Sequence, residues 1–326
     1  PKTINLKQKG EKPVLYRATH RSRPRSSTFY HFRSGGSQPD RPLLKSSIVK
    51  EIFDKVALKC SKLTTTSYST SFSMGIRFLY KKFHDPIYSI YGFVRFADEI
   101  VDTFHDYDKQ KLLQEFRQDT YRALEDKISL NPILHSFQRV VHEYNIDREL
   151  IDTFLHSMEM DLDQANHDQA SYEEYILGSA EVVGLMCLKV FVEGDENKYN
   201  ELRYYAMRLG SAFQKINFLR DLQADYKEMG RTYFPGIDMD QFDEAAKLAI
   251  EKDIAIDFKD GFEGIKRLPK AARFGVYMAY VYYISLFNKI RSTPPKRMLN
   301  ERIRIPNNRK YALFVGSYVR HSLNLI

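Results

Sequence analysis

The stretch YGFVRFADEIVD, residues 91–102, places Asp98 and Asp102 four apart among Phe, Val, Ile, Ala and Gly, with Arg95 one turn upstream. On a helix, at about 100° per residue, Tyr91, Arg95, Asp98 and Asp102 fall within an arc of about 60°. Glu99 lies at the edge of that arc, and Gly92, Phe93, Val94, Phe96, Ala97, Ile100 and Val101 cover the other faces. An ordinary solvent-facing helix shows a broad surface of Lys and Glu. A narrow Asp/Arg/Tyr stripe instead implies burial around most of the circumference, with the acids turned towards an internal cavity. Buried carboxylates are costly unless cations accompany them.

The stretch LGSAFQKINFLRDLQADYKEMGRTYFP, residues 209–235, repeats the arrangement. Gln214, Asn217, Asp221 and Asp225 stand at i, i+3, i+7 and i+11, an arc of about 80°. Leu209, Phe213, Ile216, Phe218, Leu219 and Leu222 fill most of the remainder, and Arg220 sits beside the stripe. Two carboxylate pairs with amide oxygens suit hard divalent cations, and Mg²⁺ takes one or two carboxylates together with waters and substrate phosphates. Mn²⁺ is the natural substitute. Diphosphate is then the third party, its oxygens neutralised by Arg95, Arg220 and either Lys227 or Arg231. The chain has no Gly-rich phosphate loop, which argues against a P-loop nucleotide enzyme. Walls of Phe, Tyr, Leu and Met around a metal–diphosphate end point to a prenyl diphosphate. Metal makes its diphosphate a good leaving group, and aromatic faces steady the allylic cation while water is kept out.

These stripes need helices to carry them. From about residue 48 nearly every segment has helical period, without strand-like alternation or hairpin signals, so the expected fold is all-α. The periodicity predicts helices over 48–61, 64–80, 86–104, 109–126, 131–144, 147–165, 172–193, 197–228, 240–257 and 270–291, with a short one near 307–322. Breakers fall between them at 84–86, 131–132, 193–197, 234–236 and 293–295. No repeat of fixed period indicates a solenoid.

The chain of 326 residues is 43% apolar, with 22 Phe, 22 Tyr and no Trp, enough for a sizeable core. Its formal charge of +8 is unevenly spread. Residues 1–50 hold 12 Lys and Arg against Glu11 and Asp40, leaving 38 basic and 40 acidic residues for the rest. The main body therefore lacks the basic surface that nucleic-acid binding needs. Residues 1–47, rich in Arg, Ser, Pro and Gly, read as a disordered basic tail, with residues 48–326 as the folded domain. The chain begins with Pro and its first Met is Met74, so the tail reads either as upstream sequence foreign to the natural protein or as an organelle transit peptide. Cys60 and Cys187 are too few for a disulfide framework and fit no metal spacing, so buried thiols in a reducing compartment are expected. The nine His show no paired spacing. No apolar run reaches the 18–20 or so residues that span a bilayer. The expected location is cytoplasmic, with peripheral membrane contact for product release left open, or plastid if the tail is a transit peptide.

The two acidic stretches resemble the paired aspartate signatures of the squalene/phytoene synthase family. YILGSAEVVGLM at 175–186 is similar to the family's segment of a Tyr and small residues, STSFS at 69–73 to its N-terminal Ser/Phe signature, and RIRIPNNRKYAL at 302–313 to its closing basic stretch. The resemblance covers about residues 50–326 in order. It implies a single-domain helical bundle of the class I isoprenoid synthase type with a central cavity. It implies Mg²⁺ ligands at Asp98, Asp102, Asp221 and Asp225, with Asn217 and Gln214 nearby. Diphosphate contacts are implied at Ser69, Ser71, Tyr91, Arg95, Arg220, Arg302 and Tyr283. Tyr175 matches a tyrosine near the reacting carbons, and Phe72 a residue lining a prenyl channel. Without the resemblance, Ser69 and Ser71 would be capping or surface serines, and the Tyr cluster at 277–283 would be core. Glu99 departs from the Asp that many members carry there, with the charge kept.

The implied reaction joins two prenyl diphosphates head to head. One ionises to an allylic cation, the second substrate's terminal double bond attacks it, and loss of a proton closes the ring to a cyclopropylcarbinyl diphosphate. That intermediate ionises again, rearranges to a 1–1′ linkage and loses a proton to released diphosphate or a nearby Tyr. Two geranylgeranyl diphosphates giving phytoene is the first expectation, without NADPH and with downstream carotenoid enzymes as partners. The alternatives are dehydrosqualene or squalene synthesis from farnesyl diphosphate. A class I terpene cyclase shares the i, i+4, i+8 spacing of Asn217, Asp221 and Asp225, but the LRD context and Arg95 speak against it. A non-enzymatic assembly factor of the same fold should have lost the acids, and all four persist.

Overall fold

The computed structural model describes residues 41–163, 167–227 and 230–306, apart from the side chains of 41–48 and Asp163. The tail at 1–40 and the predicted helix at 307–322 lie outside the described residues. Among the described residues twelve α-helices follow one another, with no strand. They are α1 Arg41–Tyr68, α2 Thr70–Arg77, α3 His84–Asp102, α4 Lys109–Asp126, α5 Pro132–Glu143 and α6 Arg148–Asp163, then α7 Gln169–Ile176, α8 Val182–Phe191, α9 Glu196–Lys227, α10 Glu244–Arg267, α11 Lys270–Arg291 and α12 Pro295–Met298.

Local chemistry sets many of the boundaries. Asn131 caps α5 by accepting from the Ile133 and Leu134 amides, at 3.0 and 3.4 Å, while Pro132 fills the first turn. Asp243 caps α10 through the Ala246 amide at 2.8 Å. At the end of α4, Lys127 adopts a left-handed conformation, φ 56°. Between α7 and α8 the chain does not leave the helix. Residues 177–181 form a single π turn, so the predicted helix over 172–193 is continuous but carries one widened turn.

Two clusters of apolar side chains hold the bundle. In the first, Phe93 of α3 is fully buried and stacks on Phe137 of α5, with ring centres 4.0 Å apart, beside Phe154 of α6 at 5.4 Å. The second joins α7, α9, α10 and α11 around Ile216, Leu219, Phe258 and Leu286. Helix α9, at about 1.5 Å per residue, is the long strut to which α8, α10 and α11 attach. Gly264 lets α10 approach it closely, since a Cβ there would lie 2.3 Å from the Cβ of Tyr205. A cavity of about 250 Å³ opens between α2, α8, α9, α10 and α11, lined largely by apolar side chains that include Phe72, Leu79, Val183, Phe213 and Leu268. No described helix is long and apolar enough to cross a membrane.

Candidate active site

Both acidic stripes lie on helices as their spacing predicts, α3 carrying the first and α9 the second. At one end each stripe is anchored by a tyrosine. Tyr283 of α11 donates to Asn217 Oδ1 at 3.3 Å and stacks on Phe213 at 4.0 Å. Tyr91 hydrogen-bonds to Ser69, the cap of α2, whose Oγ accepts from the Phe72 amide at 3.2 Å. Tyr91 also stacks on Phe72 at 4.8 Å. Burial pushes the Tyr91 phenol up to about 12. Phe72 and Gln214 line the apolar cavity, which therefore begins where the polar stripes end. Ser71 is half-buried in the first turn of α2, and its hydroxyl forms no hydrogen bond among the described residues.

At the other end the stripes are joined through Arg231. Gly230, with φ 66°, turns the chain back after α9, and the Arg231 amide donates to the Asp225 carbonyl at 2.8 Å. The Arg231 side chain crosses to α3, where Nη1 donates to Asp102 Oδ1 at 3.2 Å. Burial opposes its charge, but Tyr233, Asp161 and Asp102 more than offset that and hold it firmly protonated. Lys227, the other candidate cation, instead bonds Asn300 at 2.7 Å.

Arginines attend the other acids. Arg95 donates to Asp98 at 2.5 Å and pairs with Glu99, and its guanidinium lies 4.5 Å over the Tyr68 ring. Asp221 is held twice, by Arg220 at 3.0 and 2.5 Å and by Arg302 at 2.6 and 3.1 Å. Asp225 has no cation in hydrogen-bond reach among the described residues. Burial, reinforced by the charge of Asp102, pushes Asp98 up to about 7. Burial, reinforced by Asp221 and Asp102, does the same to Asp225.

Carboxylates that repel each other while losing water are short of positive charge, and this donor set fits a divalent cation. Among the described residues no three His, Cys, Asp or Glu converge on one ion. Each ion would thus take one or two side chains from Asp98, Asp102, Asn217, Asp221 and Asp225, and complete its shell with water and phosphate oxygen.

Two residues at the site were not singled out from sequence. Asp161 of α6 is buried and accepts from Tyr175 Oη at 2.8 Å, and Tyr233 stacks on Phe218 at 4.0 Å. The signal for Asp161 is its register, since it follows Phe154 and Met158 on the core-facing stripe of α6. Tyr233 stands directly after the second acidic stretch.

The all-α bundle with its two aspartate-bearing helices is the arrangement that the sequence resemblance implied. The squalene/phytoene synthase family model matches residues 65–309, and the chain belongs to this family. It is 28% identical over 172 residues to a presqualene diphosphate synthase of Rhodopseudomonas palustris, covering 51% of this chain and 58% of that one. It is 25% identical over 281 residues to the chloroplastic phytoene synthase 1 of Solanum lycopersicum, covering 78% and 65%. The chain thus spans less than two thirds of either relative's length. In structure it resembles a dehydrosqualene synthase solved with a ligand, with TM-score 0.71, 20% identity, and 82% and 98% of the two chains covered. It also resembles the squalene synthase HpnC of Alicyclobacillus acidocaldarius, with TM-score 0.66, 18% identity, and 77% and 97% covered.

Proposed function

We propose that this protein condenses two prenyl diphosphates head to head in the presence of Mg²⁺, taking two geranylgeranyl diphosphates to phytoene through a cyclopropylcarbinyl diphosphate, without NADPH. One observation supports this above the others: Arg231 bridges the aspartate rows on α3 and α9, and Gln214 of the second stripe, with Phe72 beside the first, lines an apolar cavity. Bound at those rows, Mg²⁺ would supply Lewis acidity to the departing diphosphate.

The chain's own groups do the rest. Arg95, Arg220, Arg231 and Arg302, now on the acids, are placed to turn to diphosphate oxygens. Phe72, Phe213 and the cavity walls take the hydrocarbon and exclude water. Tyr175, one turn before Ser179 of the cavity wall, is hydrogen-bonded to Asp161. There it is placed to receive the proton lost at the end.

The second reading is the same condensation of farnesyl diphosphate to presqualene diphosphate or dehydrosqualene, favoured by the likeness to presqualene diphosphate synthase. Purified protein incubated with Mg²⁺ and either substrate, without NADPH, should give a C40 hydrocarbon on the first reading, and a C30 hydrocarbon or presqualene diphosphate on the second. A cyclic product from a single substrate molecule would refute the proposal.

A further inference from the structure

Behind the aspartate rows lies a compact group that Mg²⁺ coordination does not use: Asp161, Tyr175, Tyr233 and His167, capped by Arg231. Asp161 is 7% exposed and stands at the centre of the group. Its Oδ2 accepts the Tyr175 hydroxyl at 2.8 Å, and its backbone carbonyl accepts Arg231 Nη2 at 3.0 Å. Among the described residues its Oδ1 has no hydrogen-bond partner, and the nearest cation is Arg231 Nη1 at 3.9 Å. The rings of His167 and Tyr233 close the group, at 5.2 and 5.3 Å from Tyr175.

A buried carboxylate with a vacant oxygen and a loosely held cation is costly as a purely structural element. A methionine or leucine would fill that place on the stripe of α6 without the cost. Its geometry has a specific effect on Tyr175, whose own proton is committed to Asp161. The phenol oxygen therefore keeps its lone pairs for an incoming proton.

We propose that Asp161 is the positioning residue and second proton acceptor for Tyr175 in the proton loss that ends the condensation, an inference that rests on the function proposed above. The rearranged cation gives up a proton to Tyr175 Oη, and the electron pair of the broken C–H bond becomes the new C=C bond. Tyr175's own proton passes to Asp161 Oδ2 in the same event. Tyr175 stays a neutral phenol, Asp161 becomes a neutral acid, and Asp161 returns its proton to water once the product has left. The environment is suited to this. Burial, opposed by Arg231 and by the Tyr175 hydrogen bond, pushes the Asp161 carboxyl up to about 7, so it can hold the proton near neutrality. Burial pushes the Tyr175 phenol well above its ordinary value, so it does not ionise by itself. Burial lowers His167, the other titratable neighbour.

The test compares wild type, Asp161→Asn, Asp161→Glu and Tyr175→Phe with Mg²⁺ and the prenyl diphosphate that wild type turns over, following both intermediate and hydrocarbon. Asparagine can still accept from Tyr175 but cannot take its proton. In Asp161→Asn, hydrocarbon formation should fall about 10²–10⁴-fold, with KM within about twofold and cyclopropylcarbinyl diphosphate accumulating. Asp161→Glu should restore part of the rate. Tyr175→Phe should accumulate the same intermediate, and the double variant should be no slower than the slower single one. The inference is overturned if Asp161→Asn makes hydrocarbon at the wild-type rate, which would leave released diphosphate as the base. It is equally overturned if intermediate formation fails in parallel with a raised KM, which would reduce Asp161 to a support for Arg231. A wild type that turns over neither substrate would refute the proposed function and the relay with it.

Discussion

The two aspartates of α9 differ in their partners, and this predicts opposite effects on the stability of the metal-free protein. Asp221 is gripped by Arg220 and Arg302. Breaking a buried pair costs about 3–5 kcal/mol. The Asp221 and Arg220 side chains each keep 21% of their exposure, which reduces the expected loss for Asp221→Asn to about 1–2 kcal/mol. Asp225 has no such partner, and its carboxyl is raised from 3.8 to about 7 by burial and by Asp221 and Asp102. That displacement corresponds to at most about 4 kcal/mol of penalty for the ionised form. Screening by the solvent at the site mouth brings the expected gain for Asp225→Asn to about 1–2 kcal/mol. The sign follows from proton binding. Above pH 3.8 and up to about 7 the native protein holds a proton that the unfolded chain has lost, so stability falls as pH rises through that window. The gain from Asp225→Asn should therefore be full at pH 8 and nearly absent at the acid end. Urea unfolding in EDTA at several pH values measures both variants. In the presence of Mg²⁺ and substrate, both should lose activity by about 10²-fold or more. An Asp225→Asn protein less stable than wild type at pH 8 without metal would refute the reasoning.

Two other outcomes follow from the same geometry. Asp98 and Asp225 must lose protons near pH 7 before they can hold a cation, so apparent Mg²⁺ affinity by calorimetry should rise between pH 6 and 8; a flat profile would contradict the assignment. Gly75 lines the cavity, and a Cβ there would meet nothing closer than the Gly275 carbonyl oxygen at 3.8 Å, so Gly75→Val should fold and narrow the channel. Since one methylene in an apolar pocket is worth about 10–200-fold, turnover of geranylgeranyl diphosphate should drop at least tenfold more than that of farnesyl diphosphate, and equal losses would remove Gly75 from the channel.

The acidic rows were legible because helical period and burial act on the same residues: a polar stripe on an otherwise apolar helix has one stable placement. Long-range choices were less visible. Lys227 and Arg231 are equivalent by composition, and only the left-handed turn at Gly230 decides between them by folding Arg231 back over Asp225. Helix α10 was expected to end at 257 and runs to Arg267. Gly261 and Gly264 weaken the local preference for helix, but each seats α10 against a side chain of α9, Leu209 and Tyr205, and that packing outweighs the cost. The expected break between 61 and 64 is likewise absent, and α1 continues to Tyr68. There Thr64, Thr65 and Thr66 turn their hydroxyls to carbonyls three or four residues back. The π turn at 177–181 leaves no mark on periodicity, since its neighbours in YILGSAEVVGLM are apolar or small on nearly every face, so a shift in register cannot be seen.

The charge balance of the site sets the order in which its ligands can bind. Asp98, Glu99, Asp102, Asp161, Asp221 and Asp225 face Arg95, Arg220, Arg231 and Arg302, so with all groups ionised the acids exceed the guanidiniums. A free diphosphate, itself strongly anionic, would meet a field of its own sign and would also have to displace carboxylates from each arginine. Divalent cations invert that field, and in neutralising the acids they free the arginines for phosphate oxygens. Inorganic diphosphate alone should therefore leave the thermal transition of the protein unmoved, Mg²⁺ alone should raise it modestly, and the two together should raise it by more than the sum. A diphosphate-only shift as large as the combined one would mean that the arginines, rather than the aspartates, carry the headgroup site.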